Sequence, residues 1–202
     1  PSSLAILENA VTLARYASIC QNNGLVPIVE PEILMDGGHD LETTQKVTTL
    51  VLSEVYRQLN LHNVELKYTL LKPNMVRPGV DCQKNYSVKQ IAKATINSLR
   101  NTVPVSVPGI FFLSGGLSEQ EATTILNEIN RTGILQPWYL SFSYGRALQA
   151  SVLDKWNGVD ENIKEAKKTL MYRSYMNGLA TIGKYNGEED KGESLYEKDY
   201  IY

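Results

Sequence analysis

A lysine stands where an apolar stretch of the chain ends. The segment TLLKPNMV places Lys72 after two leucines and directly before Pro73, a pattern typical of a buried strand that stops at its carboxyl end. Burial of an ammonium group costs free energy unless the amine is paired or deprotonated. A deprotonated amine can attack a ketone and form a Schiff base, an electron sink for carbon–carbon bond chemistry. The alternative is a lysine whose stem carries the charge to solvent or into an ion pair.

Two carboxylates follow another apolar run, in VPIVEPEIL. Glu30 and Glu32 are two residues apart, so on a strand they project to the same face. Repulsion between neighbouring carboxylates favours protonation of one of them. Because imine formation needs a proton donor to expel water from the carbinolamine, we assign Glu30 as that donor and Glu32 as a helper or a partner of Lys72. The alternative is a strand end that emerges into solvent with two surface acids.

Two glycine-containing turns each join an apolar run to a helical pattern. The first turn contains Ser114, Gly115 and Gly116, and the second contains Ser143, Gly145 and Arg146. Glycine lets backbone amides converge on an anion, a helix N-terminus adds partial positive charge, and arginine offers a planar fork to phosphate. Two such loops predict a phosphate site. Each turn by itself is equally typical of an ordinary tight turn.

The elements that must position these side chains alternate along the chain. Apolar strand-like runs cover residues 25–33, 64–73, 109–116 and 138–145, and helical patterns cover residues 2–22, 40–59, 87–101, 118–129, 147–156 and 161–185. Ser87 with Gln90 and Ser118 with Glu121 have capping-box spacing, while Pro27 counts against a central position for the first strand. The alternation predicts an α/β fold, a parallel sheet whose functional groups gather at the carboxyl ends of the strands.

Composition narrows the class of protein. The chain has 202 residues, 43% of them hydrophobic, and a net charge of -2, which predicts one domain and argues against nucleic-acid binding. Two cysteines are too few for a disulfide framework and indicate a reducing, cytoplasmic setting. No apolar stretch approaches the roughly 18 residues of a membrane span, and no ligand spacing indicates a metal. We expect a domain over residues 1–184 and a mobile acidic tail over residues 185–202.

At VPIVEPEIL, LLKPNMV, FLSGG and FSYGRALQAS the chain resembles class I fructose-bisphosphate aldolase, the metal-independent lysine type. The resemblance covers the whole chain but only about the carboxyl-terminal half of the family's length, and the chain lacks an initiator methionine. We therefore expect the natural polypeptide to be longer. The resemblance implies a (β/α)8 TIM barrel, of which this chain supplies the last four βα units and the C-terminal tail.

The resemblance also implies a function. It is that of a glycolytic lyase, which cleaves fructose 1,6-bisphosphate reversibly through a Schiff base on Lys72 and needs no cofactor. Glu30 corresponds to the catalytic proton donor and acceptor, Glu32 to a supporting acid, and Tyr202 to a terminal tyrosine that helps proton exchange on the enamine. The phosphate and sugar contacts fall on the two glycine turns. A cytoplasmic homotetramer with cytoskeletal partners such as actin is implied as well.

Two other functions stay open. An interaction protein could use the acidic tail or the outer helices to bind cytoskeletal partners without catalysis. Another Schiff-base barrel enzyme, such as a transaldolase, would act on a monophosphorylated sugar, and two phosphate loops do not exclude it.

Overall fold

The computed structural model of the chain describes residues 1–187, whose four strands form one parallel sheet in chain order. The elements are α1 (Ser3–Asn22), β1 (Ile28–Val29), α2 (Leu41–Leu61), β2 (Leu70–Leu71), α3 (Val88–Thr102), β3 (Gly109–Phe112), α4 (Glu119–Arg131), β4 (Tyr139–Phe142), α5 (Arg146–Trp156) and α6 (Ile163–Thr181). Short 3-10 helices occupy Leu66–Tyr68 and Asp160–Asn162. The prediction of an α/β fold with a parallel sheet is confirmed.

The first strand is shorter than its apolar run predicts. Pro27 lies directly before β1, where its carbonyl accepts a hydrogen bond from Leu70 N–H at 3.0 Å. Its missing N–H is tolerated there, because the start of a strand is a position where proline is accepted. Pro31 has no N–H with which to continue the ladder. The prediction that Glu30 and Glu32 stand on a strand is therefore wrong: both lie in the loop after β1.

The second predicted strand, over residues 64–73, is also reduced, because a side chain competes for its backbone. Gln21 of α1 donates from Nε2 to the carbonyls of Glu65 and Tyr68, at 3.0 and 3.2 Å. Its Oε1 accepts from the N–H of Glu65 at 3.0 Å. These bonds satisfy backbone groups that a neighbouring strand would otherwise satisfy. The segment before β2 accordingly forms a 3-10 turn.

The core lies between the sheet and the helices. Ile110 and Phe112 of β3 are fully buried, and burial of each such side chain stabilises the fold by about 1.5–3 kcal/mol. On α1 the buried positions are mostly alanines, whose small side chains allow α2 to pack closely. Within residues 1–187, no helix has the length and apolar character needed to cross a membrane.

Both predicted capping boxes are confirmed. One lies at the start of α3, which follows the loop after β2, and the other at the start of α4, which follows the loop after β3. At α4, Ser118 Oγ accepts from Glu121 N–H at 3.1 Å, and Glu121 Oε2 accepts from Ser118 N–H at 3.0 Å. At α3, Ser87 and Gln90 make the same reciprocal pair, at 3.3 and 2.9 Å. Two otherwise unpaired amides are satisfied at each helix start.

The Ser118 cap yields a stability prediction. Substitution Ser118→Ala removes the acceptor for Glu121 N–H at a buried position, so we expect the free energy of unfolding in urea to fall by about 1 kcal/mol. The matched control is Ser174→Ala, an exposed position inside α6, where alanine should be neutral or slightly stabilising. Equal losses in the two variants would contradict the capping interpretation.

Candidate active site

A lysine and a carboxylate meet at the carboxyl edge of the sheet. The register pairs Val29 of β1 with Leu71 of β2, so Glu30 and Lys72 are the next opposite residues. Lys72 N–H donates to the Val29 carbonyl at 2.8 Å, and Lys72 Nζ lies 2.8 Å from Glu30 Oε1. The lysine side chain is 21% exposed and the glutamate side chain 39%. The structure therefore places the lysine in an ion pair at the rim, largely but not fully withdrawn from solvent.

Glu32 takes a different position from Glu30. It is half-buried and, together with Glu30 and Pro31, lines a groove of about 630 Å³ between α1, α2 and the loop after β1. The two predicted carboxylates thus share one groove, and Glu30 is the one that contacts Lys72.

The loops after the last three strands lie side by side. Leu113 N–H donates to the Pro73 carbonyl at 3.1 Å, and Ser143 N–H donates to the Phe112 carbonyl at 2.9 Å. These bonds extend the ladder past the ends of β2, β3 and β4. The lysine loop and the two glycine turns are therefore neighbours along one edge.

The first glycine turn is shaped by left-handed backbone angles. Gly115 and Gly116 have φ values of 45° and 74°, which residues with a β-carbon adopt only with strain. A β-carbon on Gly115 would also lie 3.0 Å from Leu113 Cδ1. The turn closes with a bond from Leu117 N–H to the carbonyl of buried Ser114 at 2.9 Å. It leads directly into α4, whose N-terminus carries the partial positive charge that favours an anion.

The second glycine turn is anchored by the tyrosine within it. Tyr144 is buried, and its hydroxyl donates to the carbonyl of Ala122 on α4 at 3.0 Å; burial raises the pKa of that hydroxyl well above its ordinary value. Ser143 is half-buried, Gly145 caps the N-terminus of α5, and Arg146 begins that helix at an exposed position. The two turns are therefore joined to one another through α4.

A polar network behind the turns fixes three helices and was missed by the sequence analysis. Glu119 Oε1 accepts from the N–H and the hydroxyl of Ser151 on α5, at 3.1 and 3.0 Å, and Glu119 Oε2 lies 3.6 Å from Arg173 Nε on α6. Arg173 Nη2 donates to the Glu119 carbonyl at 2.8 Å and to Thr123 Oγ1 at 2.9 Å. No local pattern could reveal these contacts, since they join residues 32 to 54 positions apart.

Asn74 is a second residue that the sequence analysis did not single out. Its Oδ1 accepts from Ile33 N–H at 2.6 Å, and its Nδ2 donates to the Ile33 carbonyl at 3.0 Å. The side chain therefore ties the loop after β2 to the loop after β1. An asparagine directly after a proline at a loop start was the available signal, because asparagine side chains commonly bond loop backbone.

Tyr202 lies outside the described residues, as does the predicted tail from residue 188 onward. The first residue of that predicted tail, Tyr185, is buried, and its N–H donates to Asn127 Oδ1 at 2.9 Å. Over the described part of the chain, no group of three or more His, Cys, Asp or Glu side chains is placed to hold a metal ion.

The arrangement defines a class of protein. Parallel strands in chain order, each followed by a helix, with the polar residues collected at the carboxyl edge, are the architecture of α/β barrels. Comparison with known proteins then gives the family. The sequence model of the family of glycolytic class-I fructose-bisphosphate aldolases matches residues 1–202 of this chain.

Individual relatives agree with that match. The chain is 58% identical to fructose-bisphosphate aldolase C of Rattus norvegicus and 58% identical to fructose-bisphosphate aldolase 2 of Caenorhabditis elegans, in both cases over 100% of this chain and 56% of the relative. This chain belongs to the class-I fructose-bisphosphate aldolase family, as the resemblance implied. It spans about half the length of the curated relatives that it matches.

A solved structure supports the fold. The co-crystal structure of fructose-bisphosphate aldolase from Plasmodium falciparum in complex with TRAP and a small-molecule inhibitor superposes with a TM-score of 0.91 at 53% identity. The match covers 93% of this chain and 54% of that one. The barrel prediction is confirmed: the four parallel βα units are part of a TIM-barrel fold.

The network behind the turns yields the second prediction. Substitution Glu119→Ala leaves the guanidinium of Arg173 buried without its carboxylate, so we expect the free energy of unfolding to fall by about 3 kcal/mol. Adding Arg173→Met should recover part of that loss, because the buried charge is removed. The control Glu161→Ala, at an exposed position, should change stability little. Additive effects of Glu119→Ala and Arg173→Met would show that the two side chains do not interact.

Proposed function

We propose that this chain carries the Schiff-base machinery of a class I aldolase, which cleaves fructose 1,6-bisphosphate reversibly into dihydroxyacetone phosphate and glyceraldehyde 3-phosphate in glycolysis. The observation that carries the proposal is the 2.8 Å contact between Lys72 Nζ and Glu30 Oε1. It puts an amine and a carboxyl group within hydrogen-bond reach of one another, at the edge where barrel enzymes work, which supports roles as nucleophile and proton carrier. The family membership supports the same reaction.

The ion pair and the neutral amine are two states of this one contact. Lys72 must lose a proton before its amine attacks the C2 ketone, and we assign Glu30, 2.8 Å away, as the group that accepts it. Glu30 can then donate it to the hydroxyl of the carbinolamine, so that water leaves and the iminium forms. A single shared proton thus serves both the nucleophile and the leaving group.

The iminium then accepts the electron pair of the breaking C3–C4 bond. The proton of the C4 hydroxyl passes to Glu30, which we assign as the base of this step, and glyceraldehyde 3-phosphate leaves. Protonation of the enamine at C3, assisted by Tyr202, and hydrolysis release dihydroxyacetone phosphate and return the amine of Lys72. We assign to Glu32 a supporting role, because it lines the same groove as Glu30.

We assign the phosphate and sugar contacts to the two glycine turns. The contributing residues are Ser114, Gly115, Gly116, Ser143, Gly145 and Arg146. The amino ends of α4 and α5 add partial positive charge, and the guanidinium of Arg146 offers planar donors. Because the turns adjoin the lysine loop, phosphate binding would hold the ketone carbon in reach of Lys72 and convert binding energy into orientation.

We further propose a cytoplasmic homotetramer with cytoskeletal partners such as actin, which the family resemblance implies. The Plasmodium falciparum aldolase was crystallised in complex with TRAP. A protein that binds filaments but shows no aldol cleavage would be a scaffold instead. Preference for a monophosphorylated sugar over the bisphosphate would indicate the transaldolase-like alternative.

The role of Lys72 can be tested by trapping. In the whole polypeptide that contains this chain, we expect Lys72→Met to abolish covalent trapping of dihydroxyacetone phosphate by borohydride, measured by mass spectrometry, because no amine remains to form the imine. Lys67→Met is the matched control, since Lys67 also pairs with a glutamate, Glu65, at 3.5 Å, but on the exposed surface. Undiminished trapping by Lys72→Met would remove Lys72 from the role.

The role of Glu30 can be tested in the same assay. Substitution Glu30→Gln keeps the shape of the side chain but removes its acid function, so we expect the rate of trapping to fall roughly a hundredfold. The substitution Glu65→Gln alters the exposed pair instead and should leave the rate unchanged. A wild-type trapping rate in Glu30→Gln would assign the proton donor to another group.

A further inference from the structure

We propose that Asn74 is a positioning residue, which holds the segment of residues 30–32 in register with Lys72. The structural part of this inference stands on hydrogen bonds and packing. Its consequence for catalysis rests on the proposed function.

The first argument is that the carboxylate segment is fixed at both ends. At one end Lys72 N–H bonds the carbonyl of Val29, at 2.8 Å. At the other end Asn74 bonds both backbone groups of Ile33, at 2.6 and 3.0 Å. Between these anchors Pro31 is buried and has a fixed φ. The position of Glu30 relative to the lysine is therefore set by two short contacts, both made by the strand and loop that carry Lys72.

The second argument is that Asn74 lies where three functional loops meet. It follows Lys72 by two residues, it bonds the loop that carries the carboxylates, and its Nδ2 lies 3.6 Å from where a β-carbon on Gly115 would be. Ile33, Asn74, Ser114 and Gly115 line a cavity of only about 20 Å³, which has room for about one water molecule. Movement of the Asn74 amide would therefore alter the lysine loop, which contains it, and the carboxylate loop, which it bonds directly, while the first glycine turn only adjoins it.

The third argument is that other contacts preserve the fold when Asn74 is changed. Farther along the same two loops, Gly79 N–H donates to the His39 carbonyl at 2.9 Å, and Val80 N–H donates to the Met35 carbonyl at 2.8 Å. These backbone bonds do not involve the asparagine. Loss of the Asn74 amide would consequently loosen the part of the loop nearest the reactive pair and leave the distal part joined.

The test is the substitution Asn74→Leu, which keeps a side chain of similar size without polar groups. In the whole polypeptide we expect kcat to fall roughly a hundredfold, as a misplacement of about 1 Å in a catalytic group would produce. Inhibition by inorganic phosphate should change less than about twofold, because the glycine turns and Arg146 are intact. Two readouts need no activity: hydrogen exchange at the Ile33 amide and chemical labelling of Lys72 should both become faster.

The control is Asn130→Leu. Asn130 also joins two elements through its amide, donating to the carbonyls of Leu126 and Leu140 at 3.0 and 3.4 Å, but at the far end of α4 from the turns. It should lower Tm without lowering kcat. Unchanged labelling of Lys72 in Asn74→Leu would overturn the positioning role. The role would also be overturned if the two variants had the same Tm and Asn74→Leu lost no more kcat than Asn130→Leu. A wild-type protein without borohydride trapping would overturn the proposed function, while exchange and labelling would still decide the role of Asn74.

Discussion

The contact between Lys72 and Glu30 depends on the parallel register of β1 and β2. A shift of one residue in either strand would turn the two side chains to opposite faces of the sheet. Withdrawal of an ammonium group from water costs several kcal/mol unless a partner repays it, and the opposite carboxylate at 2.8 Å is that partner. Two short strands therefore suffice to place the pair, provided that the loops after them cannot slide.

The structure resists such sliding with side chains that bond backbone. Gln21 fixes the turn before β2, Asn74 fixes the loop after β1, and Tyr144 fixes the second glycine turn to α4. Gln21 and Asn74 satisfy carbonyl and amide groups that short strands leave unpaired, whereas Tyr144 bonds the carbonyl of Ala122 within a helix. Further back, Glu119 and Arg173 bind α4, α5 and α6 together. Side chains from the loops and from the helix layer thus supplement the short strand ladders.

The features that the sequence predicted correctly depend on interactions between residues close together in the chain. The features that it missed depend on interactions between distant residues. The lysine at a strand end, the two glycine turns and both capping boxes are local patterns, and each is found where it was predicted. The strands were predicted too long, because apolar runs report burial and not hydrogen bonding. The competing partners, Gln21 for residues 65–68 and Asn74 for Ile33, come from more than 40 positions away. No local pattern contains that information.

The Lys72–Glu30 pair also lies beside an edge of the described sheet. The outer side of β1 faces no strand among residues 1–187, and Ile28 is 43% exposed. Closure of an eight-stranded barrel would pair that edge and reduce the solvent around Glu30 and Lys72. Desolvation disfavours two separate charges more than it disfavours a neutral amine beside a neutral acid. Barrel closure would therefore make each of the two side chains depend more strongly on its partner, so that the environment of their contact would be a property of the whole barrel and not of Lys72 alone.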